Sequence, residues 1–231
     1  MKMLNIIRAL TLSASLAGWL VCVGCASTPP NSLATHDASQ WRNDIAAFER
    51  SDATNPPPRG CIVFTGSSYI RFWNVQRDFP GLPVVNRGFG GCELADVYDY
   101  ADRIIIPYAP REVVIYAGGN DINAGMEPKV VFGDFVALAR KLHHALPRTR
   151  LVFISCPPSP SRWHEAAQIR EANGLIANYC RHHHIVYVDA FSLMLGPDGR
   201  PRPDIYRADR LHMNAKGYAI WNDAVRRYLI H

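Results

Sequence analysis

Two serines, Ser67 and Ser68, follow the apolar run Ile62-Val63-Phe64 and the break at Gly66. A hydroxyl at the turn between a strand and the next helix is how many hydrolases expose a nucleophile. The same place suits a helix N-cap, and Ser67 taken alone fits that role too. Far downstream, Asp209 and His212 stand three residues apart, close enough to face each other across one helical or loop turn. A carboxylate so placed fixes the imidazole tautomer and stabilises the imidazolium that forms during acyl transfer. Read in isolation, the pair is also a capping aspartate followed by a surface histidine. Between these ends lie two glycine-rich segments, Arg87-Gly88-Phe89-Gly90-Gly91 and Gly118-Gly119-Asn120-Asp121.

The elements around these residues follow a regular pattern. Ile62–Phe64, Pro83–Asn86, Glu112–Tyr116, Leu151–Ile154 and Ile185–Val188 read as short buried strands. Helical spacing separates them: Trp41, Ile45 and Phe48 at the start, then about Glu93 to Arg103. Val131, Phe135, Leu138 and Leu142 mark the next face, then Ile169, Ala172, Ile176 and Tyr179, and last Ala215 to Leu229. Strands of this length alternating with helices predict a mainly parallel five-stranded sheet in a three-layer α/β/α sandwich. Ligands of such sheets bind at the carboxyl ends of the strands. The serine, glycine-rich and Gly-Asn-Asp segments all directly follow strands, so they are expected to converge on one edge.

The other histidines have poorer company. His182-His183-His184 closes a helix before a strand, where neighbouring side chains point different ways, and a solvated helix end is expected rather than a metal site. His143 and His144 lie on a helix face and take the same reading. The net charge of +5 over 231 residues is scattered as single arginines, which argues against a nucleic-acid surface.

The amino terminus reads as an export signal: Lys2 and Arg8 precede an apolar run from Ala9 to Val23, followed by small residues. Val23-Gly24-Cys25-Ala26-Ser27 resembles a bacterial lipoprotein box, with Cys22 where such signals usually carry leucine. That resemblance implies lipidation at Cys25 and an outer-membrane lipoprotein facing the periplasm. Signal-peptidase cleavage to a periplasmic or secreted protein is the alternative, and an uncleaved anchor a third. The expected organisation is a signal over 1–25, a tether over 26–38 and one domain over 39–231. The remaining cysteines, Cys61, Cys92, Cys156 and Cys180, form no C-x-x-C motif and are expected as free core thiols.

In order, four blocks together resemble the SGNH hydrolases, the GDSL esterase/lipase family. They are Phe64-Thr65-Gly66-Ser67-Ser68, Asn86-Arg87-Gly88-Phe89-Gly90-Gly91, Gly118-Gly119-Asn120-Asp121 and Asp209-Arg210-Leu211-His212. The resemblance spans about residues 60 to 230 and implies a flavodoxin-like fold. It makes Ser68 the nucleophile, His212 the base and Asp209 its orienting carboxylate, with Ser68, Gly91 and Asn120 as the oxyanion hole. No metal or organic cofactor is implied. Ser67 departs from the family's aspartate before the nucleophile. Cys92 departs from the serine or aspartate often found after the second block, and puts a thiol near the pocket where slow reaction with electrophiles is expected.

The chemistry of these groups agrees. Ser68 needs a neighbouring base to attack a carbonyl near neutral pH. The backbone N–H groups of Ser68 and Gly91 and the Asn120 amide supply three donors for a tetrahedral oxyanion. The absence of G-x-S-x-G argues against the α/β-hydrolase class. The expected function is a serine esterase acting on acyl or acetyl esters: small esters, O-acetylated saccharides or lysophospholipid-like substrates. No large lid loop is evident, which favours an open site. The alternatives are an envelope glycan O-acyltransferase and a non-catalytic glycan-binding lipoprotein.

Overall fold

The computed structural model describes residues 28–229. The export signal, Cys22 and Cys25 lie outside the described residues.

The five strands are β1 (Ile62–Gly66), β2 (Val84–Gly88), β3 (Glu112–Tyr116), β4 (Arg150–Ile154) and β5 (Val186–Val188). They pair in the order β2-β1-β3-β4-β5, and every pair is parallel. Their β-branched and aromatic residues suit strands covered on both faces. The register sets the two faces apart. Phe64 stands level with Val114, and Val114 with Val152 on the same face, while Ile115 and Phe153 share the other.

The first of these faces meets aromatic residues. Phe64 packs on Trp73 and Phe79, and Trp73 touches Tyr218 and Trp221 of α9 (Ala215–Arg226). On the opposite face Phe153 packs edge-on against Phe135 of α6 (Pro128–Ala145). There α6 sits between α4 (Leu94–Ile104) and α7 (Ala166–His182), and α1 (Arg42–Thr54) packs on α4. The short helices α2 (Ser68–Arg71), α3 (Val75–Asp78), α5 (Gly119–Asn123) and α8 (Ala190–Leu193) follow strand ends or turns. This is the expected three-layer sandwich.

Caps set several boundaries as the sequence chemistry requires. Glu93 and Asp96 form a reciprocal capping box at α4, which satisfies donors that the first helical turn leaves open. Asn214 accepts from the N–H groups of Lys216 and Gly217 at the start of α9. Residues 28–38, expected as a tether, are held against the domain. Ser32 donates its N–H and its hydroxyl to Asp134 of α6, and His36 bonds Asp96 at 2.8 Å. Proline and serine content marks such a stretch as irregular, and these side-chain bonds do not show in composition.

The four cysteines, Cys61, Cys92, Cys156 and Cys180, are buried and free. Burial, reinforced by Asp96 and Asp121, pushes the Cys92 thiol well above its usual range. A thiol kept protonated and out of solvent is a poor nucleophile, which corrects the expectation of slow reaction with electrophiles.

Candidate active site

The ends of β1, β2, β3 and β4 bring four segments to one edge of the sheet. At the first, Gly66 has φ +129, and a Cβ there would lie 1.7 Å from the Tyr116 carbonyl oxygen. Only glycine lets β1 run this close to β3 and still turn. Ser67 then donates its N–H to the Tyr116 carbonyl at 3.0 Å and closes the turn. Ser67 occupies the N-cap position of α2, but its side chain makes no capping bond and is 4 % exposed. Ser68, the first residue of α2, is half-buried, and its backbone N–H has no acceptor within the helix.

The Ser68 hydroxyl lies 3.0 Å from Nε2 of His212. Nδ1 of His212 lies 2.8 Å from Oδ2 of Asp209. The carboxylate accepts the Nδ1 proton, which leaves Nε2 as an acceptor facing the serine. The Asp209–His212 segment is an irregular loop, with Arg210 in the left-handed region at φ +57. Its shape comes from Asp209 itself: Oδ1 accepts from the N–H groups of Leu211 and His212, both at 2.9 Å. Loss of hydration works to raise the Asp209 carboxyl. The Leu211 N–H, the imidazole and the His212 N–H outweigh it and bring the group to about 2.

Two tyrosines fasten this loop to the sheet edge. Tyr69, next to Ser68, donates its hydroxyl to the Leu211 carbonyl, and Tyr206 donates to the carbonyl of Pro158 beyond β4. Aromatic contacts hold the imidazole on its sides: Phe72 meets it edge-on at 5.1 Å between centroids and Tyr69 at 6.0 Å.

Asn120 stands in the first turn of α5. Its amide Nδ2 donates to the Cys92 carbonyl at 3.0 Å, and its Oδ1 accepts from a guanidinium nitrogen of Arg162 at 3.1 Å. The same nitrogen donates to the Gly119 carbonyl at 3.1 Å. With both ends of the amide held, its plane is fixed, and the second Nδ2 hydrogen has no partner among the described residues. Gly91, in the turn after β2, has φ +91, and a Cβ there would press to 3.2 Å on the Trp41 ring. It lies beside Cys92, whose carbonyl orients Asn120, but it does not line the cavity at Ser68.

That cavity is small, about 20 Å³, and is walled by Tyr69, Tyr116, Asn120, Ser159, Arg162 and Leu211. Roughly 10–15 Å³ on this measure holds one water. Arg162 was not singled out from the sequence. The available signal was its place: it ends the proline-rich loop after β4, on the edge where the other site segments gather.

Beneath Asn120, Asp121 is fully buried. Burial raises its carboxyl first, Glu93 and Asp134 add to the rise, and the Leu94 N–H opposes it; the result is about 7. His182, His183 and His184 lie exposed at the end of α7, with His183 stacked on Tyr179 at 3.8 Å. Among the described residues no three His, Cys, Asp or Glu side chains gather as a metal site.

Known proteins resemble this chain in sequence and in fold. The model of the GDSL-like lipase/acylhydrolase family matches residues 64–220. The GDSL esterase/lipase WDL1 of Oryza sativa subsp. japonica is 29 % identical over 122 residues, 44 % of this chain and 47 % of that protein. The chain thus spans about half the length of that curated relative. A GDSL-like lipase of Bacteroides thetaiotaomicron superposes with a TM-score of 0.71 at 20 % identity, over 80 % of this chain and 96 % of its own. An acetylxylan esterase of Geobacillus stearothermophilus gives 0.60 at 16 % identity, over 75 % and 96 %. At these identities the two structures share the fold.

Proposed function

This chain belongs to the GDSL-like lipase/acylhydrolase family, and on that premise we propose that it is a serine esterase for short acyl esters, acetyl esters foremost. The observation that carries the reading is the continuous chain of contacts from Ser68 through His212 to Asp209, at 3.0 and 2.8 Å.

In this reading Nε2 of His212 takes the Ser68 proton as Oγ attacks the ester carbonyl carbon. The carbonyl oxygen becomes an oxyanion facing the N–H of Ser68 and the free N–H of Asn120, with the Gly91 N–H as the third donor that the family resemblance implies. His212 returns the proton to the alcohol oxygen as its bond to the carbonyl carbon breaks, and acyl-Ser68 remains. Water, deprotonated by His212, attacks the acyl carbon; the bond from that carbon to Ser68 Oγ then breaks, His212 returns the proton to Oγ, and the carboxylic acid is released. Asp209 keeps the imidazole in the working tautomer and balances the imidazolium. Arg162 acts through Asn120: it pins the amide oxygen and polarises the amide, so that the remaining N–H is a stronger donor.

The cavity sets the acyl size. A cavity of about 20 Å³ beside Ser68 suits a methyl-sized acyl group. The kcat/KM values for p-nitrophenyl acetate, butyrate and octanoate test this. The expected order falls steeply from acetate to octanoate. A preference for octanoate, or no turnover of any ester, contradicts the reading.

The leader supports a site of action at the cell envelope, with Cys25 lipidated. Cys25→Ala then shifts the protein from the membrane to the soluble fraction. Equal membrane association of variant and wild type contradicts the anchor.

A further inference from the structure

Resting on the esterase reading, the alcohol side of the ester can also be placed. The leaving oxygen must come within reach of His212 Nε2 to receive its proton. The alcohol therefore leaves on the imidazole side of Ser68, away from the small acyl cavity. On that side stands Phe72, 5.1 Å from the imidazole and 42 % exposed, one of the large apolar side chains most open to solvent.

Phe72 is also the near wall of a separate open groove of about 530 Å³, the size range of small-molecule sites. The groove runs on past Arg71, Asn74, Gln76 and Asp44. An aromatic face with amide, carboxylate and guanidinium groups around it suits a saccharide, whose ring offers C–H groups to the aromatic and hydroxyls to the rim. A phospholipid headgroup fits this rim less well, because the small cavity at Ser68 suits a short acyl group better than the long chain that accompanies such a headgroup.

The charge on this side is uneven. Arg71, three residues after Ser68, lies along Gly90: a Cβ on that glycine would fall 2.9 Å from a guanidinium nitrogen. Arg207 lies over the Phe72 ring at 4.8 Å, held by a bond from its Nε to the Met213 carbonyl at 2.9 Å. Neither arginine is in an ion pair among the described residues. The nearby carboxylates do not neutralise them: Asp209 is bonded to His212, and Asp44 is in no ion pair among the described residues. Guanidinium groups offer paired donors that match a carboxylate.

We propose that the natural substrate is an O-acetyl ester of an acidic saccharide. Its ring lies in the groove beside Phe72, and its carboxylate is read by Arg71.

The test compares acetylated methyl glucuronoside with acetylated methyl glucoside, which differ in one carboxylate. Wild type should favour the glucuronoside by about tenfold or more in kcat/KM, the scale of one hydrogen bond to a charged group. Raising the salt concentration should shrink that preference. In Arg71→Gln the ratio of the two kcat/KM values should fall to near one, and Arg71→Lys should restore part of it. A ratio near one in wild type overturns the proposal, as does a preference that the glutamine variant keeps. Calorimetric binding of the unacetylated glucuronoside separates this from the esterase reading. If p-nitrophenyl acetate is not hydrolysed but the glucuronoside binds with arginine dependence, the groove stands and the catalytic reading falls. Turnover of p-nitrophenyl acetate without discrimination between the two saccharides has the opposite meaning. A higher kcat/KM for a lysophospholipid than for either saccharide also overturns the proposal and assigns Arg71 to phosphate.

Discussion

The two banks of the site are built by different means. On one bank Ser68 and Asn120 stand on the first turns of short helices that leave buried parallel strands. Their positions are set by ladder hydrogen bonds and by a glycine that nothing larger can replace. On the other bank Asp209 and His212 belong to an exposed, irregular loop. That loop is held by side-chain bonds: the two acceptor roles of Asp209 Oδ1, the Tyr69 hydroxyl on Leu211 and the Tyr206 hydroxyl on Pro158. In the proposed mechanism the sheet edge carries the attacking atom and the oxyanion donors, and their backbone is already ordered by folding. His212, the proposed base, would move a proton in both directions, and it is held by contacts that can be removed one at a time.

Substitutions can break or sharpen that contrast. The largest effects come from the reacting groups themselves. Ser68→Ala and His212→Ala should each lower kcat for p-nitrophenyl acetate by about 10⁴–10⁶-fold, and the double variant should be no worse than either alone. Additive losses would mean that the two banks do not work as one unit.

Asn120→Ala should follow, with a loss of about 10²–10³ in kcat and a smaller change in KM. Its amide contributes once the carbonyl oxygen is negative. A rise in KM alone would move Asn120 to ground-state binding. Arg162→Met tests the support behind that donor. It should cost about tenfold in kcat with KM little changed, and Arg162→Lys should recover part of the loss. A purely structural Arg162 would instead lower the melting temperature and leave the kcat-to-KM split untouched.

Tyr69→Phe removes one clasp of the loop bank and keeps the ring against the imidazole. A fall of several-fold in kcat is expected, about the cost of one hydrogen bond. The same measurement on Ser67→Ala, whose hydroxyl makes no capping bond, should show less. Equal losses would erase the difference between the banks.

The smallest effect on activity, and a clear one on stability, is expected at Asp121. Its folded carboxyl lies near 7 against an ordinary value of 3.8, so between those pH values the folded protein binds more protons than the unfolded chain. Stability contributed by this group therefore falls as pH rises through the window, by up to about 1.4 kcal/mol per pH unit, and stays level above it. Asp121→Asn removes this slope and can keep an acceptor for the Leu94 N–H. Denaturation of both proteins from pH 4 to 8 should show the variant gaining on wild type up to about pH 7. A constant difference would mean that Asp121 does not titrate there.

Much of the strand-end bank was legible in the sequence. Ile62–Phe64 and Glu112–Tyr116 are buried runs that end at glycines, and the periods of the helices between them dictate a parallel sheet. The approach of Gly66 to Tyr116 was not legible, because it depends on how β1 and β3 lie side by side. The loop bank was visible only as Asp209 and His212 in a resembling block. Nothing in their periodicity predicts a turn closed by Asp209, nor the partners of Tyr69 and Tyr206, which lie far off in the chain. Arg162 escaped for the same reason: its meaning comes from the amide it touches, 42 residues away. The docking of residues 28–38 likewise rests on Asp134 and Asp96, which helical spacing marks as polar positions without naming their partners.

In the proposed mechanism Ser68 is the nucleophile and His212 activates it. Labelling with a fluorophosphonate, followed by mass mapping of the modified peptide, tests it most directly, because stable phosphonylation requires an activated serine. One adduct, on Ser68, is expected in wild type, with no adduct in Ser68→Ala and labelling slowed by orders of magnitude in His212→Ala. An adduct on Ser67, or undiminished labelling of His212→Ala, would contradict it.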